Sequence, residues 1–338
     1  MSSGNFARQV LTGPGLVDSL SNLIIRPPRD EYTDNDLKQE ILKFNDNPDN
    51  IFFRHDIELQ NMRGLTIQCS WYKPVMLDEH GSPKAKRRPC VIYCHGNRGN
   101  RLNALEAINV LESGFTLFAF DFCGCGKSDG EYISLGHYER QDLAAVVEYL
   151  RKQVEEVSSI AIWGRSMGAV TAIMYAARDP SINCIVCDSP FSSLKELIDD
   201  LVIQYTAPAL SWVSNFIVSN TVKVIRRNIV KRAMFDIDDI DTVKFARDCK
   251  VPTMLIHGED DDFVLPEHSK RVYDAFKGLC IRMLDQGGHN DERALEIYKK
   301  ILDFITQNTR NEVKREGDEP CEDSDIKVPP ILTTIAES

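Results

Sequence analysis

The sequence lacks several features that mark specialised classes of protein. No run approaches eighteen uninterrupted apolar residues, so the sequence predicts no membrane-spanning helix. No apolar signal segment follows Met1, and the second residue is Ser2 rather than the glycine that N-myristoylation requires. We therefore expect a cytoplasmic protein.

Basic residues are outnumbered by acidic ones. Among 338 residues, 51 are acidic and 40 are Lys or Arg, which gives a formal net charge of -11. Nucleic-acid binding needs a basic surface, so this balance argues against a nucleic-acid partner. With 43% hydrophobic and 27% charged residues, the composition is that of an ordinary globular protein with a sizeable core.

The ten cysteines do not form the pattern of a disulfide scaffold, because most of them lie inside apolar runs. Cys184 and Cys187 form a C-x-x-C motif, but residues 183–187 are typical of a strand. Odd spacing along a strand places two side chains on opposite faces. We therefore expect no metal and no redox chemistry at this pair.

Short apolar runs alternate with helical patterns between residues 50 and 307. The alternation predicts βαβ units in a mostly parallel sheet of eight strands with helices on both faces. The first two strands precede any crossover helix and could pair antiparallel at one edge. The predicted strands are 51–59, 66–72, 89–94, 115–120, 159–163, 183–187, 251–257 and 279–284. The predicted helices are 103–111, 139–154, 169–177, 268–276 and 294–305.

Three segments lie outside this alternation of strands and helices. Residues 1–49 precede it as an N-terminal extension, and residues 308–338 form an acidic tail that we expect to be disordered. Residues 191–247 contain no clear strand, and we interpret them as an inserted helical cap. The cap contains a basic run of Lys223, Arg226, Arg227, Lys231 and Arg232.

The basic run has two interpretations. It could contact an acidic ligand or a membrane surface, with Trp212 and Phe216 in an interfacial helix. Alternatively, it is the solvated face of a helix whose opposite face carries Val224, Ile225 and Ile229.

The strongest chemical motif is G-R-S-M-G at residues 164–168, between a buried strand and the following helix. A nucleophilic serine on such a sharp turn has strained backbone geometry, and the small residues Gly164 and Gly168 relieve the crowding. The helix N-terminus behind Ser166 also favours developing negative charge. The motif therefore predicts Ser166 as a nucleophile.

A serine at neutral pH needs a general base and an acid that orients the base. After a nucleophile elbow these follow in the order acid, then histidine, each after a later strand. His289 meets the demand for a base in the loop 287–291, and residues 259–262 offer four adjacent carboxylates. Spacing alone does not select one of the four. No Cys or His ligand set accompanies them, so we expect no metal site.

The tetrahedral intermediate needs two N–H donors aimed at its oxyanion. One is expected from the backbone of Met167, the residue after the nucleophile. The loop after strand 89–94 is expected to supply the other through Asn97, because Gly96 allows close backbone approach. We expect His95 to shape this loop rather than to act as a second base.

Two apparent nucleotide-binding motifs each lack a residue that the motif requires. Residues 126–128 resemble the end of a P-loop, but Asp121 stands where its first glycine belongs. Residues 124–126 begin a dinucleotide fingerprint, but Asp129 stands where its last glycine or alanine belongs. We expect no cofactor.

These motifs together resemble those of α/β-hydrolases, in particular the serine-aminopeptidase-like and lysophospholipase-like hydrolases of plants and protists. Residues 121–128 are similar to the D-x-x-G-x-G-x-S loop after their fourth strand. Residues 257–264 match their H-G-x-x-D-x-x-V acid loop, and that register implies Asp261 as the acid. Other similar stretches are 25–29, 163–171, 188–192 and 288–291. The resemblance covers about residues 20–307 and implies the α/β-hydrolase fold for a catalytic domain at 50–307, but it does not indicate the substrate.

We therefore expect a serine hydrolase that cleaves an ester, thioester or amide bond of a small-molecule, lipid or peptide substrate through an acyl-enzyme. Ser166 would attack, His289 would carry the proton and Asp261 would orient His289. The alternatives are a ligand-binding or sensing protein with little turnover and a peripheral membrane lipase. The oligomeric state stays open.

Overall fold

The computed structural model describes residues 16–37, 41–44, 51–74, 76–77, 83–84, 87–206 and 215–309. The strands in these ranges are β1 Ile41–Lys43, β2 Ile51–Gln60, β3 Thr66–Pro74, β4 Met76–Leu77, β5 Pro83–Lys84, β6 Arg88–Cys94, β7 Thr116–Phe120, β8 Val157–Arg165, β9 Cys184–Asp188, β10 Thr253–Gly258 and β11 Cys280–Asp285. The α-helices are α1 Leu16–Ile25, α2 Glu139–Lys152, α3 Met167–Ala176, α4 Leu194–Thr206, α5 Asn215–Ala233, α6 Thr242–Asp248, α7 Pro266–Ala275 and α8 Leu295–Thr309. Shorter 3-10 helices span Asp34–Asp36, Arg101–Val110 and Ile237–Asp239.

Nine strands form one sheet in the order β1-β2-β3-β7-β6-β8-β9-β10-β11. From β7 to β11 every neighbouring pair is parallel, whereas β1, β2 and β3 join antiparallel at one side. The mostly parallel sheet is confirmed. Each of the eight predicted strands begins and ends within two residues of the corresponding observed strand. The ninth strand, β1, was not predicted, because three residues are too few to show a periodic pattern.

Helices cover both faces of the sheet. The 3-10 helix Arg101–Val110 and α8 pack on one face, and α2, α3 and α7 pack on the other. Cys184 and Cys187 lie in the two different cores, as their odd spacing predicts.

The segment predicted as an α-helix at 103–111 is a 3-10 helix instead. Its buried residues include Arg101, Ala104, Ala107 and Val110, which recur every three positions. Three residues per turn place them on one stripe against the sheet, whereas an α-helix would rotate them apart.

The N-terminal region packs with the core in the part that the structure describes. α1 lies against α5, and its residues Ile24 and Ile25 are buried in the same core as the sheet. The helix ends at Ile25 because Pro27 and Pro28 cannot continue it. Tyr32 and Leu37 are buried as well.

The segment between β9 and β10 is helical where the structure describes it. It contains α4, α5, α6 and one isolated β-bridge, between Ser193 and Asp241. Trp212 and residues 310–338 of the predicted tail lie outside the described residues, as does the side chain of Phe216. Within the described ranges, no helix has both the length and the apolar character needed to cross a membrane.

Candidate active site

Ser166 occupies the sharp turn between β8 and α3. Its backbone has φ 51° and ψ -114°, a strained conformation that costs of order 1–3 kcal/mol. The Ser166 N–H donates to the carbonyl of Asp188 at 2.7 Å, and the Ser166 carbonyl accepts the N–H of Val170 at 3.1 Å. Hydrogen bonds to the end of β9 and to α3 therefore hold the turn in place.

The two glycines of the motif are required by packing at this turn. A Cβ on Gly164 would collide with the carbonyl of Gly168, and a Cβ on Gly168 would collide with the carbonyl of Cys94. β8 and α3 approach each other, and α3 approaches β6, only because both side chains are absent.

Three loops bring Ser166, His289 and Asp261 into one chain of hydrogen bonds. The Ser166 hydroxyl lies 3.0 Å from Nε2 of His289, and Nδ1 of His289 lies 2.7 Å from Oδ2 of Asp261. The loops follow β8, β10 and β11, whose parallel carboxyl ends meet at one edge of the sheet.

Among the four adjacent carboxylates, Asp261 is the one that contacts His289. Its Oδ1 accepts the N–H groups of Phe263 at 3.0 Å and Val264 at 2.8 Å, and its Oδ2 lies 3.2 Å from Nε2 of His257. Burial alone raises the pKa of this carboxyl, but hydrogen bonds from His257, His289 and Val264 hold the pKa well below its ordinary range. Asp261 is therefore ionised at neutral pH.

An ionised Asp261 fixes the tautomer of a neutral His289. Nδ1 carries the proton and donates it to the carboxylate, which leaves the lone pair of Nε2 facing the Ser166 hydroxyl. This arrangement can accept the serine proton and stabilise the imidazolium that results.

His95 is a structural part of the neighbouring loop. It is fully buried, its Nδ1 donates to the Gly96 carbonyl at 2.8 Å, and its Nε2 accepts the N–H of Phe122 at 3.0 Å. Burial lowers the pKa of His95, so the ring is neutral at neutral pH. With both ring nitrogens engaged, His95 shapes the loop and has no free nitrogen to act as a base.

The two predicted oxyanion donors flank Ser166. Met167 is the first residue of α3, where a backbone N–H has no partner within the helix. A Cβ on Gly96 would lie 3.5 Å from the Cβ of Ser166, so the loop that contains Asn97 passes beside the nucleophile. Asn97 lines the same cavity as Ser166.

Arg165, which sequence reasoning missed, ties the histidine loop to the nucleophile turn. Its Nη2 donates to the carbonyls of His289 at 3.0 Å and Asp291 at 2.7 Å, and its Nη1 pairs with Glu106 at 2.9 Å. Glu106 in turn accepts the hydroxyl of Tyr93 at 2.6 Å. The place of Arg165 inside the G-x-S-x-G motif is a signal that could have drawn attention to it, whereas Glu106 carries no such signal.

A second arginine supports the loop that carries His289. Arg293 forms a buried two-pronged ion pair with Asp188, at 2.9 and 2.8 Å, and donates to the Gly288 carbonyl at 3.2 Å. Since the Asp188 carbonyl also accepts the Ser166 N–H, one residue links the nucleophile turn to the loop that carries His289.

A cavity of about 440 Å³ opens beside Ser166. Its lining combines apolar and polar residues. The apolar residues come mainly from α1, from α4 and from the loop that precedes α4. They are Leu23, Ile24, Leu135, Phe191, Leu194, Leu197, Ile198, Leu201 and Phe263. The polar residues are Asp30, Asn97, Arg98, Asn103, Glu106, Arg165 and Asn290.

No group of three or more His, Cys, Asp or Glu side chains in the described residues could hold a metal ion. What the arrangement offers chemically is a hydroxyl, an imidazole and a carboxylate in series beside a partly apolar cavity.

Comparisons with known proteins agree with the fold. A family model described as "alpha/beta hydrolase fold" matches residues 89–224. Protein YqkD of Bacillus subtilis is 32% identical over 59% of this chain and 64% of its own length. The lysophosphatidylserine lipase ABHD12 of Danio rerio is 23% identical over 61% of this chain and 50% of its own. The chain thus spans less than two thirds of the length of these two relatives.

Among solved structures, the esterase Pf2001 of Pyrococcus furiosus superposes with a TM-score of 0.61 at 23% sequence identity. The superposition covers 85% of this chain and 98% of the esterase. By its sheet order, its family match over residues 89–224 and its superposition with the esterase, the chain has the α/β-hydrolase fold.

Proposed function

We propose that this protein is a serine hydrolase that cleaves carboxylic esters through an acyl-enzyme. The fold and the esterase and lipase among the matched proteins support hydrolase activity in general. The observation that carries the finer proposal is the Ser166–His289–Asp261 chain, with its heavy atoms 3.0 and 2.7 Å apart.

In the first half of the reaction, Ser166 Oγ attacks the substrate carbonyl carbon while Nε2 of His289 takes the hydroxyl proton. The backbone N–H groups of Met167 and Asn97 bind the oxyanion of the tetrahedral intermediate. As the bond to the leaving group breaks, His289 returns the proton to the leaving oxygen. Asp261 stays ionised and stabilises the imidazolium throughout.

In the second half, water attacks the acyl-enzyme from the position that the leaving group vacates. His289 takes a proton from the water, and the second tetrahedral intermediate collapses with Ser166 as leaving group. His289 then returns the proton to Ser166, which releases the carboxylic acid and regenerates the free enzyme.

The cavity favours an ester with an apolar acyl chain of medium length. α4 presents Leu194, Leu197, Ile198 and Leu201 on one face, at the spacing i, i+3, i+4 and i+7. This stripe is about 10 Å long, which is close to the length of an extended octanoyl chain. Burying each methylene group contributes about 0.8 kcal/mol, or roughly fourfold in kcat/KM, until the chain outgrows the stripe.

The test is hydrolysis of a panel of p-nitrophenyl esters, aminoacyl arylamides and acyl thioesters, with Ser166→Ala as the blank. We expect ester cleavage that disappears in Ser166→Ala and a kcat/KM that rises from acetate to octanoate. Preferential cleavage of arylamides would replace the esterase proposal with a peptidase. Saturable binding of the panel without product release would favour a sensing protein.

A further inference from the structure

α5 has one face buried and one exposed, and the exposed face is unusual. Val222, Ile225, Ile229 and Ala233 are buried against the rest of the protein. Val224 was predicted to share that buried side, but 44% of it is exposed. The buried residues recur at intervals of three and four, and Val224 stands on the far side of that stripe.

The exposed face combines apolar and basic side chains. Val224 and Val230 of α5 and Met234, the residue directly after the helix, are 44%, 40% and 57% exposed. Lys223, Arg227 and Lys231 are exposed between them. We call these six residues the α5 face.

The basic residues of the α5 face differ from the neighbouring Arg226 and Arg232, whose guanidinium groups are engaged by other side chains. Arg226 pairs with Asp236 and Asp238, and Arg232 donates to Asn22. Lys223, Arg227 and Lys231 form no ion pair with any residue that the structure describes. α5 contains no Asp or Glu, and the three residues border a surface depression of about 400 Å³ together with Arg226 and Val230.

We propose that the α5 face docks on the surface of a membrane that contains anionic lipids. Basic side chains are attracted to anionic headgroups, and exposed apolar side chains between them can enter the headgroup boundary. A soluble polyanion such as a nucleic acid would pair with the lysines and the arginine but would gain nothing from Val224, Val230 and Met234. The mixture of the two chemistries on one face therefore selects a lipid surface.

The overall charge of -11 does not oppose this contact. Charges separated by more than the Debye length, about 8 Å at physiological salt, are largely screened. The α5 face meets the headgroups with its own side chains, so its local positive charge decides the interaction.

The position of α5 connects docking with the proposed substrate class. α5 packs against α1 and α4, the two helices that supply most of the apolar wall of the cavity. A bilayer on the outer side of α5 would hold esters with apolar chains near the helices that receive them. The docking proposal extends the esterase proposal, but binding to vesicles can be measured without any turnover.

The test is sedimentation of the full-length protein with vesicles of one part phosphatidylserine to three parts phosphatidylcholine, and with phosphatidylcholine vesicles alone. We expect binding to the anionic vesicles that weakens as salt is raised, and much weaker binding to the neutral ones. Each basic residue near an anionic surface contributes roughly fivefold. The triple variant Lys223→Gln, Arg227→Gln, Lys231→Gln should therefore lose about 100-fold in partitioning.

A matched control removes three exposed basic residues elsewhere, by Lys244→Gln, Arg247→Gln and Lys250→Gln. This variant has the same net charge as the first and should bind like the wild type. A second variant, Val224→Ser with Val230→Ser and Met234→Ser, should weaken vesicle binding at high salt, and circular dichroism should report native folding of all three.

Three results would overturn the proposal. The wild type fails to sediment with anionic vesicles, or the control variant loses as much binding as the α5 variant. Alternatively, a duplex DNA fragment binds as tightly as the vesicles and the serine variant behaves like the wild type, which would identify the face as a site for soluble polyanions. None of these results depends on ester cleavage, so the esterase proposal stands or falls separately.

Discussion

Asp261 differs from the neighbouring Asp260 and Asp262 by the groups that surround its carboxylate rather than by its residue type. It accepts two backbone N–H groups and contacts two histidine rings. Asp260, by contrast, is directed at the N–H of Gly287. No spacing rule separates four consecutive carboxylates, and only resemblance to a family register pointed to Asp261 before the structure did.

We predict that Asp261→Asn lowers kcat of ester hydrolysis by on the order of 10⁴. An amide in place of the carboxylate can present its NH₂ group to Nδ1 of His289, which favours the tautomer that cannot accept the serine proton. Steady-state kinetics on p-nitrophenyl octanoate measures the effect. Asp260→Asn and Asp262→Asn serve as controls, and their kcat should stay within a few-fold of wild type. A large loss of kcat in either control would show that Asp261 is not the residue that orients His289.

The lowered pKa of Asp261 also predicts how stability depends on pH. The pKa in the folded state lies below the ordinary aspartate value of about 3.9, so folding favours the ionised form. The resulting stability is fully present above about pH 5 and is lost as pH falls through 3.9 toward the folded-state pKa. Urea unfolding should show that the stability difference between wild type and Asp261→Asn narrows over this interval. A difference that stays constant down to pH 3 would contradict the assignment.

Among the secondary-structure elements, the buried strands were predictable and the N-terminal helix was missed. The central strands are continuous apolar runs bounded by turns, and such runs fit few alternatives. α1 carries Leu16, Leu20, Leu23 and Ile24 at helical spacing, a pattern that could have revealed it. The 3-10 geometry of Arg101–Val110 depends on the sheet against which the helix packs. A short helical pattern in the sequence does not show which helix type that packing selects.

α4 is the element on which the proposed preference for acyl chains depends. Ile198 lines the cavity and is 2% exposed, whereas Ile203, on the same helix, is 48% exposed. We predict that Ile198→Trp fills part of the apolar wall and lowers kcat/KM for the octanoate ester about 10- to 100-fold relative to the acetate ester, since each excluded methylene contributes roughly fourfold. The comparison of the two esters cancels any general loss of active enzyme.

Ile203→Trp places the same bulk on the outer side of α4 and should leave the ratio of octanoate to acetate unchanged. If both variants shift the ratio equally, the apolar wall does not bind the acyl chain. A melting curve of each variant shows whether overpacking, which typically costs about 1–3 kcal/mol, has disturbed the fold.

For the whole molecule, the sequence was sufficient for the sheet and for the three loops at its carboxyl edge. Parallel strands bring Ser166, Asp261 and His289 together although 123 residues separate Ser166 from His289. The supporting contacts of Arg165 with Glu106 and of Arg293 with Asp188 were not predictable, because they join residues 59 and 105 positions apart without a local pattern. The composition of the cavity likewise depends on how α1 and α4 pack over the sheet.

The burial of α1 in the main core predicts a global effect from a substitution near the start of the chain. Ile25 is fully buried, so Ile25→Ala should lower the free energy of unfolding by about 2–5 kcal/mol. Chemical denaturation checks this, with Leu295→Ala, at a site that is 77% exposed, as a control expected within about 0.5 kcal/mol of wild type. An equally small effect at Ile25 would mean that α1 is a loosely attached extension.

The most direct test of the central proposal is labelling of the purified, folded protein with a fluorophosphonate. Phosphonylation requires a serine made nucleophilic by a neighbouring base, so it reports Ser166 activation without any assumption about the natural substrate. Intact mass and peptide mapping should show one adduct, on Ser166, in the wild type and none in Ser166→Ala. Folded wild-type protein that stays unlabelled, or a Ser166→Ala variant labelled to the same extent, would contradict the account.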